Sequence, residues 1–183
     1  KWRHSIPNFL LTLTTIIVNF FFAFLLVFAA DWTNENNFGI LQIVNSTTLV
    51  SVILGLLVLD LIGAYLPHLV QHKVKLLWYI HIVHHTDHKV DTTTANRHHP
   101  FESVVRFIFT FIGIFISGAP IGLVLMYQSL SVIASQFNHA NIQISDKVDK
   151  ILSYLIVSPN MHKVHHHFEL PYTDSNYGNI FSI

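Results

Sequence analysis

Long uncharged runs dominate the pattern of this chain. Residues 9–30 and 38–59 are two runs of 22 residues without a charged side chain, and Asp60 closes the second run. A helix needs about 20 apolar residues to cross a bilayer core. The pattern therefore predicts spanning helices over 9–30 and 38–63, joined by a short polar turn.

A third uncharged run covers residues 107–138 and is too long for one straight crossing. A helix of 32 residues would measure about 48 Å, against a hydrocarbon core of about 30 Å. Gly118-Ala119-Pro120 lies inside the run, and proline and glycine break helices. We therefore predict a membrane hairpin over 104–138, made of helices over about 104–118 and 120–138.

The polar segments between these runs predict a helical cap on an all-α integral membrane protein. A first histidine-rich region spans 64–103 and a second spans 139–183, so that 1–183 forms one domain. Apolar positions from Val148 to Ile156 recur at helical spacing and predict an amphipathic helix. We expect Asp146 to cap this helix and Ser158-Pro159-Asn160 to end it, with the helix on the membrane surface or packed on its own domain.

Composition narrows the class of protein. The chain has ten Lys and Arg, ten Asp and Glu, fourteen His and no Cys. A net charge of zero argues against a nucleic-acid binder, and the absence of cysteine excludes disulfides and thiolate metal sites. A soluble protein with long buried helices is the alternative, but the uncharged runs have the length that a membrane selects.

The positions of the basic residues predict the orientation. With the helices above, all ten Lys and Arg fall on one side of the membrane, which the positive-inside rule makes the cytoplasmic side. The histidine-rich regions fall on the same side. We therefore expect a multi-pass protein of a bacterial inner membrane or the endoplasmic reticulum, with these regions facing the cytoplasm.

Thirteen of the fourteen histidines lie between residues 68 and 167, in spaced clusters. His68 and His72 form H-x3-H, and H-x2-H-H occurs at 81–85 and again at 162–166. Residues at i, i+3 and i+4 share one face of a helix, so each cluster should present its imidazoles to one point. Imidazole is the commonest metal ligand in proteins, and this many ligands are too many for one ion. The count indicates either two metal ions, which we favour, or one ion and a spare set of histidines.

Acidic residues near these clusters are candidates to hold metal-bound histidines by hydrogen bonds. Asp60 ends an apolar helix eight residues before His68, and an acid at a membrane boundary is a functional candidate. A solvated helix end is the equally weighted alternative for Asp60. Glu102 and Asp174 are further candidates.

The motifs resemble those of the fatty acid hydroxylase / sterol desaturase superfamily. They run in the family's order over about 55–183, which makes the resemblance highly specific. The matching segments are Asp60-x4-Tyr65-x2-His68-x3-His72, Leu77-Trp78-x2-His81-x2-His84-His85, Arg97-His98-His99-Pro100-Phe101-Glu102, Asn138-His139-Ala140-Asn141, Ser158-Pro159-Asn160-Met161-His162-x2-His165-His166 and Thr173-Asp174-Ser175-Asn176-Tyr177-Gly178.

The resemblance implies a membrane oxygenase with two Fe ions, O2 as co-substrate and a lipid substrate taken from the bilayer. His99 would be a weaker tenth ligand, Asn138 and Asn176 would support the site, and His4, His88, His98 and His167 would lie outside it. Zn can substitute for iron in purified protein. Carried over by position, the metal ligands would be His68, His72, His81, His84, His85, His99, His139, His162, His165 and His166.

Reducing equivalents would have to come from a partner, because the chain has no glycine-rich dinucleotide motif. An external reductase, a cytochrome b5-like or a ferredoxin-like protein fits this role. The chain begins at Lys1 rather than Met and stops at Ile183, where the family usually continues, so we expect a fragment of a longer protein.

Two other functions remain open. A zinc-dependent membrane hydrolase would use a base such as Glu102, although H-E-x-x-H is missing. A metal carrier or transporter would need polar residues inside the spanning helices, which hold only scattered Thr, Ser, Asn and Gln.

Overall fold

The computed structural model describes residues 2–44 and 46–183, and this part of the chain is helical without a β-strand. One isolated β-bridge joins Ile156 to Phe181. Short 3-10 turns occur at Thr94–Asn96 and Tyr172–Asp174. The helices are α1 (Trp2–Glu35), α2 (Ile40–Ile43), α3 (Thr48–Asp60), α4 (Leu66–Lys73), α5 (Lys75–His85), α6 (Pro100–Ser117), α7 (Ile121–Asn138), α8 (Asp146–Leu152) and α9 (Pro159–His165).

The all-α membrane architecture expected from the uncharged runs is confirmed. Ser5–Ile43, Thr48–Lys73 and Pro100–Ser117 are long and apolar enough to cross a membrane. Large side chains on α1 such as Phe20 and Phe24 are mostly exposed, as expected for a surface that faces lipid. The protein is therefore associated with the membrane.

The first helix is longer than predicted. The uncharged run predicts 9–30, whereas α1 covers Trp2–Glu35. At its start, the buried Asn8 side chain donates to Asp87 and Thr93 and accepts from Arg97. These partners lie in the histidine-rich region, so the added turns of α1 attach the membrane part to the polar cap.

The second predicted helix, 38–63, is divided and displaced. The chain leaves helical geometry at Val44 and resumes it at Thr48. Helical structure then continues beyond Asp60 through a π-helical turn, Leu61–Tyr65, into α4. π-Turns inside helices are frequent at functional sites. Here the turn joins the apolar α3 to the helix that carries His68 and His72.

The predicted hairpin is present, and its break lies where expected. α6 ends at Ser117, α7 begins at Ile121, and Gly118 adopts a left-handed conformation with φ of +66°. The turn packs against the turn after α1, where Gly39 approaches its backbone. Buried residues of α1, α3, α6, α7 and the turn between the last two form the apolar core, namely Ala29, Ala30, Leu59, Ile114, Ala119, Leu123, Val124 and Tyr127.

The Gly118→Ala variant should be destabilised by more than about 1 kcal/mol, because alanine disfavours positive φ. An added Cβ would also lie 2.4 Å from the carbonyl oxygen of Phe38. Gly122→Ala is the matched control, since its Cβ would meet no atom within 4 Å. Thermal unfolding in detergent tests the pair, and equal unfolding temperatures would contradict the prediction.

The cap helix near residue 150 differs from its prediction. α8 covers Asp146–Leu152 and stops before Ile156, and Ser145, not Asp146, occupies the N-cap position. Ser158 begins a helix instead of ending one, because its hydroxyl accepts the backbone N–H of Met161 at the start of α9. A proline at the first helical position is typical of a helix start, and Pro159 fits that rule.

Candidate metal centre

Nine of the ten predicted ligands converge in two groups of ring nitrogens, and within each group these atoms lie within 4.8 Å of one another. We call them the five-histidine group and the four-histidine group. His99 belongs to neither. The five-histidine group is His68, His72, His81, His85 and His165, and the four-histidine group is His84, His139, His162 and His166.

Each H-x2-H-H helix serves both groups, which differs from the expectation that each cluster points to one place. α5 gives its first and third histidines to the five-histidine group and His84 to the other. The second H-x2-H-H motif, at α9, does the reverse. His165 joins the five-histidine group, whereas His162 and His166 join the four-histidine group. The two groups are therefore adjacent, and the rings of His85 and His166 are stacked with centroids 4.7 Å apart.

Hydrogen bonds orient rings of the five-histidine group and leave their inner nitrogens free. His68 Nδ1 donates to the carbonyl oxygen of Tyr177 at 2.9 Å, and His165 Nδ1 donates to that of Ser175 at 2.6 Å. In a neutral imidazole the Nε2 atom is then a bare acceptor. The Nε2 atoms of all five rings are buried without a hydrogen-bond partner, namely those of His68, His72, His81, His85 and His165.

The four-histidine group is centred on His139. Its Nδ1 donates to the carbonyl oxygen of Ser135 at 2.8 Å, and its Nε2 lies 3.0–3.1 Å from Nε2 of His84, His162 and His166. Adjacent ligands at about 2.1 Å from one metal ion lie about 3 Å apart. The spacing of these nitrogens therefore fits one ion. Bare nitrogens buried together otherwise lack partners, so both groups suit a metal.

Burial keeps these imidazoles neutral. Loss of solvent lowers the pKa of His84, His162, His165 and His166 well below its usual value, and repulsion between neighbouring rings lowers it further. Burial also lowers the pKa of His139 to about 4. Metal binding needs neutral imidazole, so the site is prepared for ligation at neutral pH.

The metal-free protein should lose stability as pH falls from 6.5 towards 4. His139 binds a proton near pH 6.5 when unfolded but near pH 4 when folded, so acid favours unfolding. The lowered pKa of His139 alone reduces the free energy of unfolding by up to about 3 kcal/mol, at about 1.4 kcal/mol for each unit of pKa. Unfolding temperatures of metal-free protein at pH 5 and pH 7 measure this, and equal values would refute it. His139→Asn should weaken the dependence of the unfolding temperature on pH.

Glu102 holds the centre from α6. Its carboxylate is buried and lies 3.2 Å from Nδ1 of His81 and 2.8 Å from Nδ1 of His98. His98 Nε2 faces the carbonyl oxygen of Ala95 at 2.9 Å, so both of its ring nitrogens face oxygen acceptors. Glu102 therefore contacts one ring of the five-histidine group and the neighbouring His98.

His98 and His99 have the reverse of their expected positions. His98, expected to lie outside the site, is buried and stacks on His84 with ring centroids 4.8 Å apart. His99 occupies the N-cap of α6 and accepts the backbone N–H of Phe101 at 3.2 Å. Pro100 follows at the first helical position, and this signal could have identified His99 as the cap.

The other expected supporting residues hold the backbone around the site. Asp60 accepts the N–H groups of Ile180 and Phe181, and Asn176 donates to the carbonyl oxygen of Met161. None of these bonds reaches a histidine. Asn138 similarly donates to the carbonyl oxygen of Asn179.

Asp174 reaches the centre through Tyr177. It accepts from the Tyr177 hydroxyl and pairs with Lys73, and these hydrogen bonds lower its pKa. The Tyr177 ring packs against His68, His72 and His165, a contact that the sequence did not assign although its motif contains this tyrosine. The remaining histidines, His88 and His167, lie outside both groups, and the side chain of His4 is outside the described part of the chain.

Two cavities adjoin the centre. A small cavity of about 30 Å³ lies beside His84, His139 and His162, with room for a water-sized molecule. A large cavity of about 350 Å³ lies between α1, α6 and α7, within the size range of ligand pockets. His98, Arg106 and Ser135 line both cavities, so the large cavity lies next to the small cavity beside the histidines.

Comparison with known proteins agrees with this site. Residues 52–183 match the family model "Fatty acid hydroxylase". An ornithine lipid hydroxylase, OlsE, from Rhizobium tropici is 26% identical over 128 residues. The match covers 69% of this chain but 37% of that relative's length. No solved structure matches. Because the family model covers most of the chain and all nine converging histidines, the chain belongs to the fatty acid hydroxylase family.

Proposed function

We propose that this protein is a membrane-bound oxygenase that hydroxylates or desaturates a lipid at a di-iron centre, using O2 and external electrons. The observation that carries the proposal is the pair of histidine groups, whose bare ring nitrogens converge beside a cavity between membrane helices. The family match and the lipid hydroxylase relative support the lipid substrate.

One ion in each histidine group accounts for the number of ligands. Five and four imidazoles are too many for one ion, and imidazole suits iron and zinc. An all-imidazole centre is neutral before metal binds, which reduces the cost of building it beside a bilayer. His99 is left out of this ligand set because it caps α6.

Bound iron supplies the activation of O2 that attack on an unactivated C–H bond requires. Hydroxylation inserts one oxygen atom of O2 into the C–H bond and reduces the other to water with two electrons and two protons. Desaturation removes two hydrogens from the lipid and reduces O2 to two waters with two external electrons and two protons. A partner must supply these electrons.

The protein's own residues bind the lipid and shield the centre. Apolar side chains such as Phe22, Leu26 and Leu125 line the large cavity and would hold an acyl chain. Glu102 and the carbonyl groups of Ser175 and Tyr177 fix the orientation of ligand rings. Burial of His84 and His165 keeps bulk water away from the reacting atoms.

The positions of the basic residues support one orientation of the protein in the membrane. Arg3 lies at the start of α1, those from Lys73 to Lys163 lie in the helical cap or in the first turns of α6, and Lys1 is outside the described residues. Under the positive-inside rule this distribution supports a metal centre on the cytoplasmic face of a multi-pass protein. A soluble or membrane-bound reductant can reach that face.

Metal analysis and lipid analysis test the proposal together. Folded protein reconstituted with Fe(II) should bind about two ions per chain, as expected for a site that activates O2 with two metals. Lipids from cells expressing the active protein should contain an oxidised species that disappears without O2. Zinc-loaded protein is the inactive control. Folded protein without bound metal, or turnover independent of O2, would refute the proposal.

A further inference from the structure

Arg106 holds a position that the oxygenase chemistry above does not use. It lies four residues after Glu102, so both side chains share one face of α6 about 6 Å apart along its axis. Glu102 contacts the histidines, and Arg106 lines both the small and the large cavity. Its side chain therefore lies where the large cavity between the membrane helices adjoins the small cavity beside the histidines.

Within the described part of the chain, Arg106 makes no hydrogen bond and no ion pair. The carboxylate that its charge influences is Asp60, which instead accepts the backbone N–H groups of Ile180 and Phe181. A cation inside a membrane protein is costly unless it is paired. Arg106 thus has its donors available to a molecule in the cavity.

The remaining lining of the large cavity favours a polar and anionic group near Arg106. No acidic side chain lines this cavity, and the imidazole of His98, which also lines it, contacts the carboxylate of Glu102. Amide and hydroxyl groups add hydrogen-bonding capacity among the apolar residues. They include Thr15, Asn19, Asn96, Ser103, Thr110 and Gln128.

We propose that Arg106 binds the anionic group of the lipid substrate, a carboxylate or a phosphate, through charge-assisted hydrogen bonds. Because Arg106 also lines the small cavity beside His84 and His139, the carbon presented for oxidation lies close to that group and not at the far end of the acyl chain. This inference rests on the proposed function for its chemistry, but the binding step stands apart from metal and O2.

The binding of three probes that have alkyl chains of the same length but different head groups tests Arg106 directly. Hexadecanoate, hexadecyl phosphate and hexadecanol are compared by equilibrium binding to the folded, metal-free full chain in detergent. At least one anionic probe should bind about tenfold or more tightly than hexadecanol, the effect expected of a charge-assisted hydrogen bond. The tighter of the two anions distinguishes carboxylate from phosphate recognition.

Variants then assign the preference to one side chain. Arg106→Gln should remove the preference for the anion and leave hexadecanol binding unchanged, whereas Arg106→Lys should retain most of it. Lys75→Gln removes an exposed charge and should change nothing. An unchanged preference in Arg106→Gln would overturn the proposal.

If Arg106→Gln fails to fold, the binding of the three probes to the wild-type protein still tests the proposal. Equal binding of all three probes would overturn the proposal as well. Anion preference in a protein that binds no iron would refute the proposed oxygenase while leaving the role of Arg106 intact. Active enzyme should in addition yield products oxidised near the anionic group, as read by fragment masses. Oxidation confined to the far end of the chain would contradict the placement.

Discussion

The His165→Ala variant is expected to form no oxidised lipid and to hold the ion of the five-histidine group more weakly, so that it retains fewer ions per chain than the wild type, which retains about two. His165 contributes a bare, buried Nε2 to the five-histidine group, and its ring is fixed by the carbonyl oxygen of Ser175. Removing the ring opens a gap in the buried group that no neighbouring ligand fills. Metal content by mass spectrometry and product by lipid analysis measure the two losses.

His88→Ala is the matched control for His165→Ala. His88 is exposed and lies outside both histidine groups, so its loss should leave metal content and product unchanged. Wild-type activity in folded His165→Ala protein would rule out His165 as a ligand. Equal losses in both variants would indicate general damage to the fold instead of a specific metal site.

The Glu102→Gln variant is expected to lower metal affinity or activity by about 10–100-fold, the usual cost of losing a group that orients a metal ligand. The carboxylate faces Nδ1 of His81 and Nδ1 of His98. Glutamine keeps the shape but removes the charge, and its NH2 group can replace an acceptor with a donor. Both imidazoles then lose the carboxylate that fixes their orientation.

Competition with a chelator measures the affinity of Glu102→Gln for Fe(II), and the rate of product formation measures its activity. Glu169→Gln is the control, because Glu169 is exposed and its carboxylate makes no hydrogen bond among the described residues. Wild-type affinity together with wild-type rate in Glu102→Gln would show that the carboxylate has no part in the site.

The apolar segments were predictable from the sequence because a membrane imposes a minimum length on uncharged runs. Their ends were not. α1 continues beyond its apolar run because Asn8 finds partners at Asp87, Thr93 and Arg97, about eighty residues away in the chain. Local patterns contain no information about such distant bonds. The π-helical turn after Asp60 likewise depends on packing between helices.

The histidines that converge were predictable from motif order, but their division between two groups was not. Helical spacing places His81, His84 and His85 on one side of α5, and how α5 lies against α9 then decides which ring joins which group. The exchange of His98 and His99 is a finer case. His99 lies directly before Pro100 and caps α6, whereas His98, one residue earlier, stacks on His84.

The sharing of α5 and α9 between the groups makes the centre a single mechanical unit. A rotation of α9 that withdraws His165 from one group also moves His162 and His166, which belong to the other. Neither half can be opened, closed or reshaped while its neighbour stays unchanged. Sequence drift within the family is therefore expected to alter the cavities and the loops before it alters the relative placement of these two helices.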